Sequence, residues 1–85
     1  MFSPEKHVVD EIKTLCNPIL EKYQFFPVFY DVTKTGRHLW IAVYFQIATE
    51  SMSVRDLESA LRQVNEQVKE KYQECTCELI LVPGK

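Results

Sequence analysis

Residues 37–48 constrain the fold most, because they alternate as a strand does and yet carry large apolar side chains on both sides. One alternating set is uniformly apolar and consists of Leu39, Ile41, Val43, Phe45 and Ile47. The other set is mixed and consists of His38, Trp40, Ala42, Tyr44 and Gln46. Other elements must pack over the first face of such a strand. Its second face still presents a tryptophan and a tyrosine.

The first segment, residues 3–23, has the spacing of an amphipathic helix. Its apolar stripe consists of Val8, Ile12, Leu15, Cys16, Ile19 and Tyr23. Ser3 is a good N-cap, and Pro4 suits the first helical position. Pro18 lies inside the segment, where a proline removes a backbone hydrogen bond and costs about 3 kcal/mol. We therefore predict a kink or a break within residues 14–17, followed by a second short helix.

A second helix is predicted over residues 53–72. Ser53, with Asp56 three residues later, resembles a capping box. The residues that follow at helical spacing are apolar, at Leu57, Leu61, Val64 and Val68. This helix therefore also needs an apolar surface to cover.

The remaining segments are rich in aromatic and β-branched residues and are predicted to be strands. Residues 25–34 and 37–48, joined by a turn at Gly36, indicate a β-hairpin. Pro27 favours an edge position for the first strand. A last strand is predicted over residues 76–82.

The order α-β-β-α-β predicts an α+β fold, a two-layer sandwich in which two helices cover one face of a three-stranded sheet. This is the ferredoxin-like arrangement without its first strand. We expect the last strand to lie beside the first, because the intervening helix allows a crossover. A length of 85 residues without a visible linker favours one domain, residues 1–85.

Two helices can cover only one face of this sheet, so the other is predicted to keep large apolar side chains. These are Phe29, Trp40, Tyr44, Ile80 and Val82. A contiguous patch of this kind commonly marks an interface, so we predict a homodimer formed through it. The alternative is that Met1 and Phe2 fold back over this face.

Composition and motifs argue against several classes of function. Ten basic and twelve acidic side chains give a net charge of -2, which is unlike a dedicated nucleic-acid binder. No apolar run approaches the roughly 20 residues of a membrane span. Neither His7 nor His38 lies in a catalytic motif, and no phosphate-binding glycine loop is present. We therefore predict no enzyme, no catalytic residue and no cofactor-binding residue.

The cysteines leave two interpretations open. An odd count of three favours reduced thiols. Cys75 and Cys77 are two residues apart, so on a strand they share a face. They could share a soft metal ion, although two thiolates are only half of a tetrahedral site. Otherwise they are ordinary small residues of a strand or turn.

The chain, over about residues 5–83, resembles the C-terminal cytoplasmic domain of the cation diffusion facilitator transporters. The resemblance rests on the order and spacing of the segments and on one local pattern. That pattern is Tyr30-Asp31-Val32-Thr33-Lys34-Thr35-Gly36-Arg37. Domains of this family lie below the membrane helices, dimerise through their sheet side and in many members bind zinc or related divalent ions.

The resemblance implies a cytoplasmic dimerisation and regulatory domain of a divalent metal cation efflux transporter. Proton-coupled export of zinc, cobalt, cadmium or iron would belong to the membrane part. The implied partners are a second copy and the transmembrane domain of the same transporter, on the cytoplasmic side of the membrane. Two alternatives stay open, a free-standing ferredoxin-like module that binds a soft metal or small ligand, and a small enzyme on this common fold.

The metal ligands of zinc-binding relatives do not carry over. By the resemblance, those positions fall here on Val28, Tyr44, Ile80 and Val82. None of these side chains is a good ligand. We therefore expect hydrophobic and aromatic packing in place of a metal site, and a dimer held without metal there. Cys75, Cys77 and His38 remain as alternative ligands for a divalent metal such as zinc.

Overall fold

The computed structural model describes residues 6–48 and 53–83. Its elements are α1 (Lys6–Lys22), β1 (Phe25–Thr35), β2 (His38–Ile47), α2 (Val54–Lys71) and β3 (Cys75–Leu81). The strands form one mixed three-stranded sheet, and α1 packs against β1 while α2 packs against β3. The predicted α+β sandwich is confirmed.

The strand order is β1-β2-β3, so the expectation that the last strand lies beside the first is wrong. β1 pairs antiparallel with β2, and β3 pairs parallel with β2. The hairpin occupies one edge of β2, and α2 carries the chain back to the other edge. A helical crossover between neighbouring parallel strands is the shorter connection, because it need not pass over β1.

α1 runs through Pro18 without interruption, so the predicted break and the separate short helix are wrong. Pro18 is exposed, whereas Ile12, Cys16 and Leu20 are fully buried. Burying one large aliphatic side chain contributes about 1.5–3 kcal/mol, so this stripe offsets the roughly 3 kcal/mol cost of the proline. The expected N-cap at Ser3 lies outside the described residues.

α2 begins directly after its predicted cap. The Ser53 hydroxyl oxygen accepts hydrogen bonds from the backbone amides of Arg55 and Asp56, at 3.1 and 3.3 Å. These bonds satisfy two amides that a helix start leaves unpaired. The buried side of α2 consists of Ala60, Val64 and Val68.

Polar contacts join the two helices and show that they run antiparallel. Glu11 of α1 accepts a hydrogen bond from the Tyr72 hydroxyl and pairs with Lys71, whose Nζ lies 2.8 Å from Oε2 of Glu11. Farther along, Gln63 Nε2 donates to the Tyr23 hydroxyl oxygen at 2.6 Å. The helix pair is therefore tied at two places above the apolar core.

The core lies between the helices and one face of the sheet, as the alternation of β2 predicts. Leu39, Ile41, Val43 and Phe45 are all buried there, and Ile47 packs at its margin. Aromatic packing reaches β1, where the ring centroids of Phe25 and Phe45 are 4.8 Å apart. The opposite face of the sheet has no helix over it among the described residues.

β1 is an edge strand, as Pro27 predicts, and it contains a bulge at Val28. Pro27 pairs with Phe45, and Phe29 pairs with the preceding β2 residue, Tyr44, so Val28 is the unpaired extra residue. The bulge shifts the alternation of side chains. Phe25 therefore faces the core at 3% exposure, whereas Phe29 is 59% exposed on the other side.

Candidate functional site

The face of the sheet turned away from the helices, here called the outer face, carries an apolar row across all three strands. The row consists of Phe29, Tyr44 and Ile80, which are direct neighbours in the strand register. We call these three residues the aromatic row. The ring centroids of Phe29 and Tyr44 are 6.0 Å apart in a tilted arrangement, which is a favourable geometry for two aromatic rings.

The aromatic row is widened by its neighbours. Val28 in the bulge is 57% exposed, and Phe26 is 48% exposed. Val82 follows Ile80 by two residues, and its backbone amide donates to the carbonyl oxygen of Phe45 at 2.8 Å, which continues the β3 pairing. A band of large, solvent-accessible apolar groups therefore crosses the sheet at the end distant from the β1–β2 turn.

The next row on the outer face is acidic. Asp31 and Glu78 flank Ala42 in the register, and both carboxylates are exposed. Because Ala42 is small, it forms the floor of a shallow depression between the two carboxylates and Trp40. Within residues 6–48 and 53–83, no cluster of three or more histidine, cysteine, aspartate or glutamate side chains is arranged to hold a metal ion.

Trp40 forms the third row with Thr33 and Thr76, and it is 45% exposed. The His38 ring lies against it, with centroids 4.6 Å apart, and His38 Nε2 lies 2.7 Å from the Thr76 hydroxyl oxygen. Along β2, Ala42 is the outer-face residue that lies between Trp40 and the aromatic row. The predicted patch is therefore continuous along β2 but narrows between its two aromatic ends.

The predicted interface residues all lie on or beside the outer face. Phe29, Tyr44, Ile80 and Val82 lie together, and Trp40 lies beyond the acidic row. Phe26 and Val28 also belong to this surface, and sequence reasoning missed Phe26. Simple alternation cannot place them, because the bulge changes the phase of β1, and Pro27 was the one sequence signal of that irregularity. The alternative prediction was that Met1 and Phe2 cover the outer face, and both residues lie outside the described residues.

The positions of the family's metal ligands converge on this same end of the sheet. Tyr44 and Ile80 are paired neighbours, Val82 follows on β3, and Val28 is in the bulge of β1. Their side chains offer three aliphatic groups and one phenol. The arrangement favours packing against another apolar surface over ligation of a metal ion.

The alternative ligands do not meet in one place. Cys75 pairs with Leu39 and Cys77 with Ile41, so both thiols face the helices, whereas His38 is on the outer face. Both cysteines are 6% exposed. Burial raises the pKa of the Cys77 thiol to about 12, and burial also raises the pKa of Cys75. Both are therefore protonated thiols at neutral pH.

No protein-family profile matches the chain, and no curated protein matches it. No helix among the described residues combines the length and the apolar character needed to cross a bilayer. Solved structures nevertheless show clear likeness of fold.

Three of these structures are C-terminal domains of transporters or belong to such proteins. CzrB, a candidate zinc transporter, superposes with a TM-score of 0.79 at 6% identity, over 98% of this chain and 100% of that one. The metal-bound C-terminal domain of the CzcD transporter from Thermotoga maritima gives 0.64 at 13% identity, over 94% of each chain. A variant of MamM-CTD gives 0.57 at 11% identity, over 93% of this chain and 98% of that one.

The resemblance suggested by the sequence pattern is thus confirmed at the level of the fold. The likeness extends over nearly the whole of both chains in each comparison. This protein has the fold of the C-terminal domains of cation diffusion facilitator transporters.

Proposed function

We propose that this chain is the cytoplasmic dimerisation and regulatory domain of a divalent metal cation efflux transporter, and that two copies associate through the aromatic row. The observation that carries the proposal is the row itself, an exposed apolar band on a fold shared with transporter domains. Its partners are a second copy of the chain and the transmembrane part of the same transporter. The role is non-enzymatic, since the domain contributes contact surface and no chemistry.

The hydrophobic effect gives the proposed contact its driving force. Phe29, Phe26 and Val28 are each about half exposed in the single chain, and covering such surface contributes about 25 cal/mol per Å². The contact that we propose is centred on the aromatic row and its neighbours Phe26 and Val28, where the exposed apolar surface of the outer face is concentrated.

The side chains of this surface favour a dimer contact that needs no metal ion. The side chains at the family's ligand positions are apolar or phenolic, so the two copies meet through packing and need no bridging ion. A dimer held in this way keeps its affinity when divalent cations are removed. Any action of zinc or another divalent ion then takes place away from the aromatic row.

Light scattering coupled to size-exclusion chromatography tests the proposal. We expect twice the 10.0 kDa chain mass, unchanged by a chelator of divalent cations. Phe29→Asp should shift the protein to the monomer, because it places a charge within the aromatic row. Val54→Asp is the matched control, since Val54 is an exposed apolar residue at the start of α2.

Two outcomes count against the proposal. A 10.0 kDa particle at high protein concentration would mean that the outer face does not associate. A dimer that dissociates with the chelator would mean that a metal ion and not the aromatic row holds the copies together.

A further inference from the structure

A groove of about 510 Å³ lies between α2 and the edge strand β3, on the helix side of the sheet. Cys75 and Cys77 line its β3 side, and Leu61, Asn65 and Lys69 are among the residues that line its α2 side. The two thiols are on the same face of β3 and within hydrogen-bonding reach of each other. The groove therefore reaches two neighbouring thiols, each on a residue that is 6% exposed.

The number and type of donors select the metal ion. Thiolates are soft ligands that favour Cu(I), and Cu(I) accepts two ligands, whereas structural zinc takes four. No described histidine, aspartate, glutamate or further cysteine joins the pair in a cluster of three. We propose that Cys75 and Cys77 form a two-coordinate site for Cu(I) at the base of this groove.

The charged side chains that line the groove balance in sign, because Arg62 and Lys69 offset Glu58 and Glu66. Binding converts one Cu⁺ and two neutral thiols into a bis-thiolate complex of charge −1 and releases two protons, with no electron transferred. Lys69 lies close enough to favour the ionised form of both thiols, so its ammonium group partly neutralises the complex. Cys16, the remaining cysteine, is on the buried side of α1 and does not line the groove, although it lies near enough to Cys77 to help raise the pKa of that thiol.

A competition titration tests the site on the whole chain. The reduced protein is titrated without oxygen into Cu(I) held by the coloured chelator bicinchoninate, and loss of the chelate colour counts the ions removed. We expect one Cu(I) per chain, and no removal by Cys75→Ser or Cys77→Ser. Cys16→Ala is the matched control and should still remove one ion. Lys69→Gln should weaken binding by about threefold to tenfold, because it removes a nearby opposite charge.

A second measurement uses the unmodified protein, so it does not depend on the folding of any variant. Pulse alkylation in mild denaturant, read by mass spectrometry, should show that Cu(I) protects Cys75 and Cys77 more strongly than Cys16, whose protection can come only from the stability that binding adds. Equal reactivity of all three thiols with and without Cu(I) would overturn the proposal. So would a titration in which the Cys75→Ser and Cys77→Ser variants, folded by circular dichroism, bind as tightly as the wild type.

This site is independent of the outer face. The thiols and the aromatic row are on opposite sides of the sheet, so Phe29→Asp should leave Cu(I) stoichiometry unchanged. A wild-type monomer that binds one Cu(I) would mean that only the dimer proposal has failed, and a wild-type dimer that binds none would mean that only the Cu(I) proposal has failed.

Discussion

Glu11 shows how one side chain can make the stability of this domain depend on pH. Hydrogen bonds from Lys71, and then from Tyr72, hold the pKa of the Glu11 carboxyl below its usual value of 4.5. A carboxyl whose pKa is lower in the folded state stabilises the fold above its unfolded pKa. That contribution is lost as the pH falls through the folded value.

The expected result is a steeper loss of stability in acid for the wild type than for Glu11→Gln. Urea unfolding at a series of pH values below about 5 measures it. Glu21→Gln is the control, because Glu21 is an exposed residue on the same helix. Parallel pH profiles for wild type and Glu11→Gln would show that the contacts of Glu11 do not contribute.

Sequence reasoning works at the residue scale where local chemistry decides the conformation. Ser53 caps α2 because its hydroxyl reaches amides only two and three residues away, and Gly36 takes a φ of +60° in the turn because glycine has no Cβ. The hydrogen bonds of Glu11 could not be predicted from the neighbouring sequence. Its partners Lys71 and Tyr72 lie about 60 residues farther along the chain and meet it only after the helices have packed.

At the scale of single elements, Pro18 lowers the stability of α1, and a substitution can remove this effect. Pro18 has no amide proton for the helix, and its exposed ring adds little burial. We expect Pro18→Ala to raise the free energy of unfolding by about 1–3 kcal/mol, because it restores a backbone hydrogen bond and a good helix former. Chemical denaturation measures the change.

Pro27→Ala is the control for this substitution, since Pro27 lies on an edge strand that tolerates proline. A gain there equal to that of Pro18→Ala would point to a general effect of proline on the chain. No gain for Pro18→Ala would show that α1 already relieves the strain at this position.

Deletion of one residue of β1 tests which residue forms the bulge. Removing Val28 should leave every other pair of β1 and β2 in register, because Val28 is the residue without a partner. We expect a folded domain with a loss of about 1 kcal/mol or less in unfolding free energy. Thermal unfolding followed by circular dichroism measures it.

Deletion of Thr33 is the matched control, because Thr33 is paired with Trp40 in regular strand. It shifts the alternation so that Asp31 points at the core and Val32 at solvent, which should unfold the domain. Equal stability of the two deletion variants would contradict the assignment of Val28 as the extra residue.

At the scale of the whole molecule, the pattern of apolar residues was enough for the layers but not for the strand order. The inner set of β2 identified the buried face, and the count of helices identified the open one. The position of β3 depends on whether the crossover reaches the free edge of β2 or the free edge of β1, and no local pattern records that choice. The sequence pattern also did not show which face of the sheet the β1 residues before Val28 occupy. Phe26 was missed for that reason.

Trp40 reports on the extent of the proposed dimer contact, because it is the sole tryptophan of the chain. It lies beyond the acidic row, so we expect a contact centred on the aromatic row to leave its indole open to solvent. Quenching of its fluorescence by acrylamide should differ by less than about twofold between the dimer and the Phe29→Asp monomer. Strong protection in the dimer would extend the contact across Asp31 and Glu78.

The aromatic row crosses the sheet near one end, and this placement has a mechanical consequence. In the proposed dimer, the two copies would touch only at this end of the outer face, and the rest of each outer face would make no apolar contact. Asp31 and Glu78, both exposed on that remaining surface, would then bring like charges of the two copies near each other. Dissolved salt screens such repulsion over about 10 Å, so the angle between the two copies should depend on ionic strength.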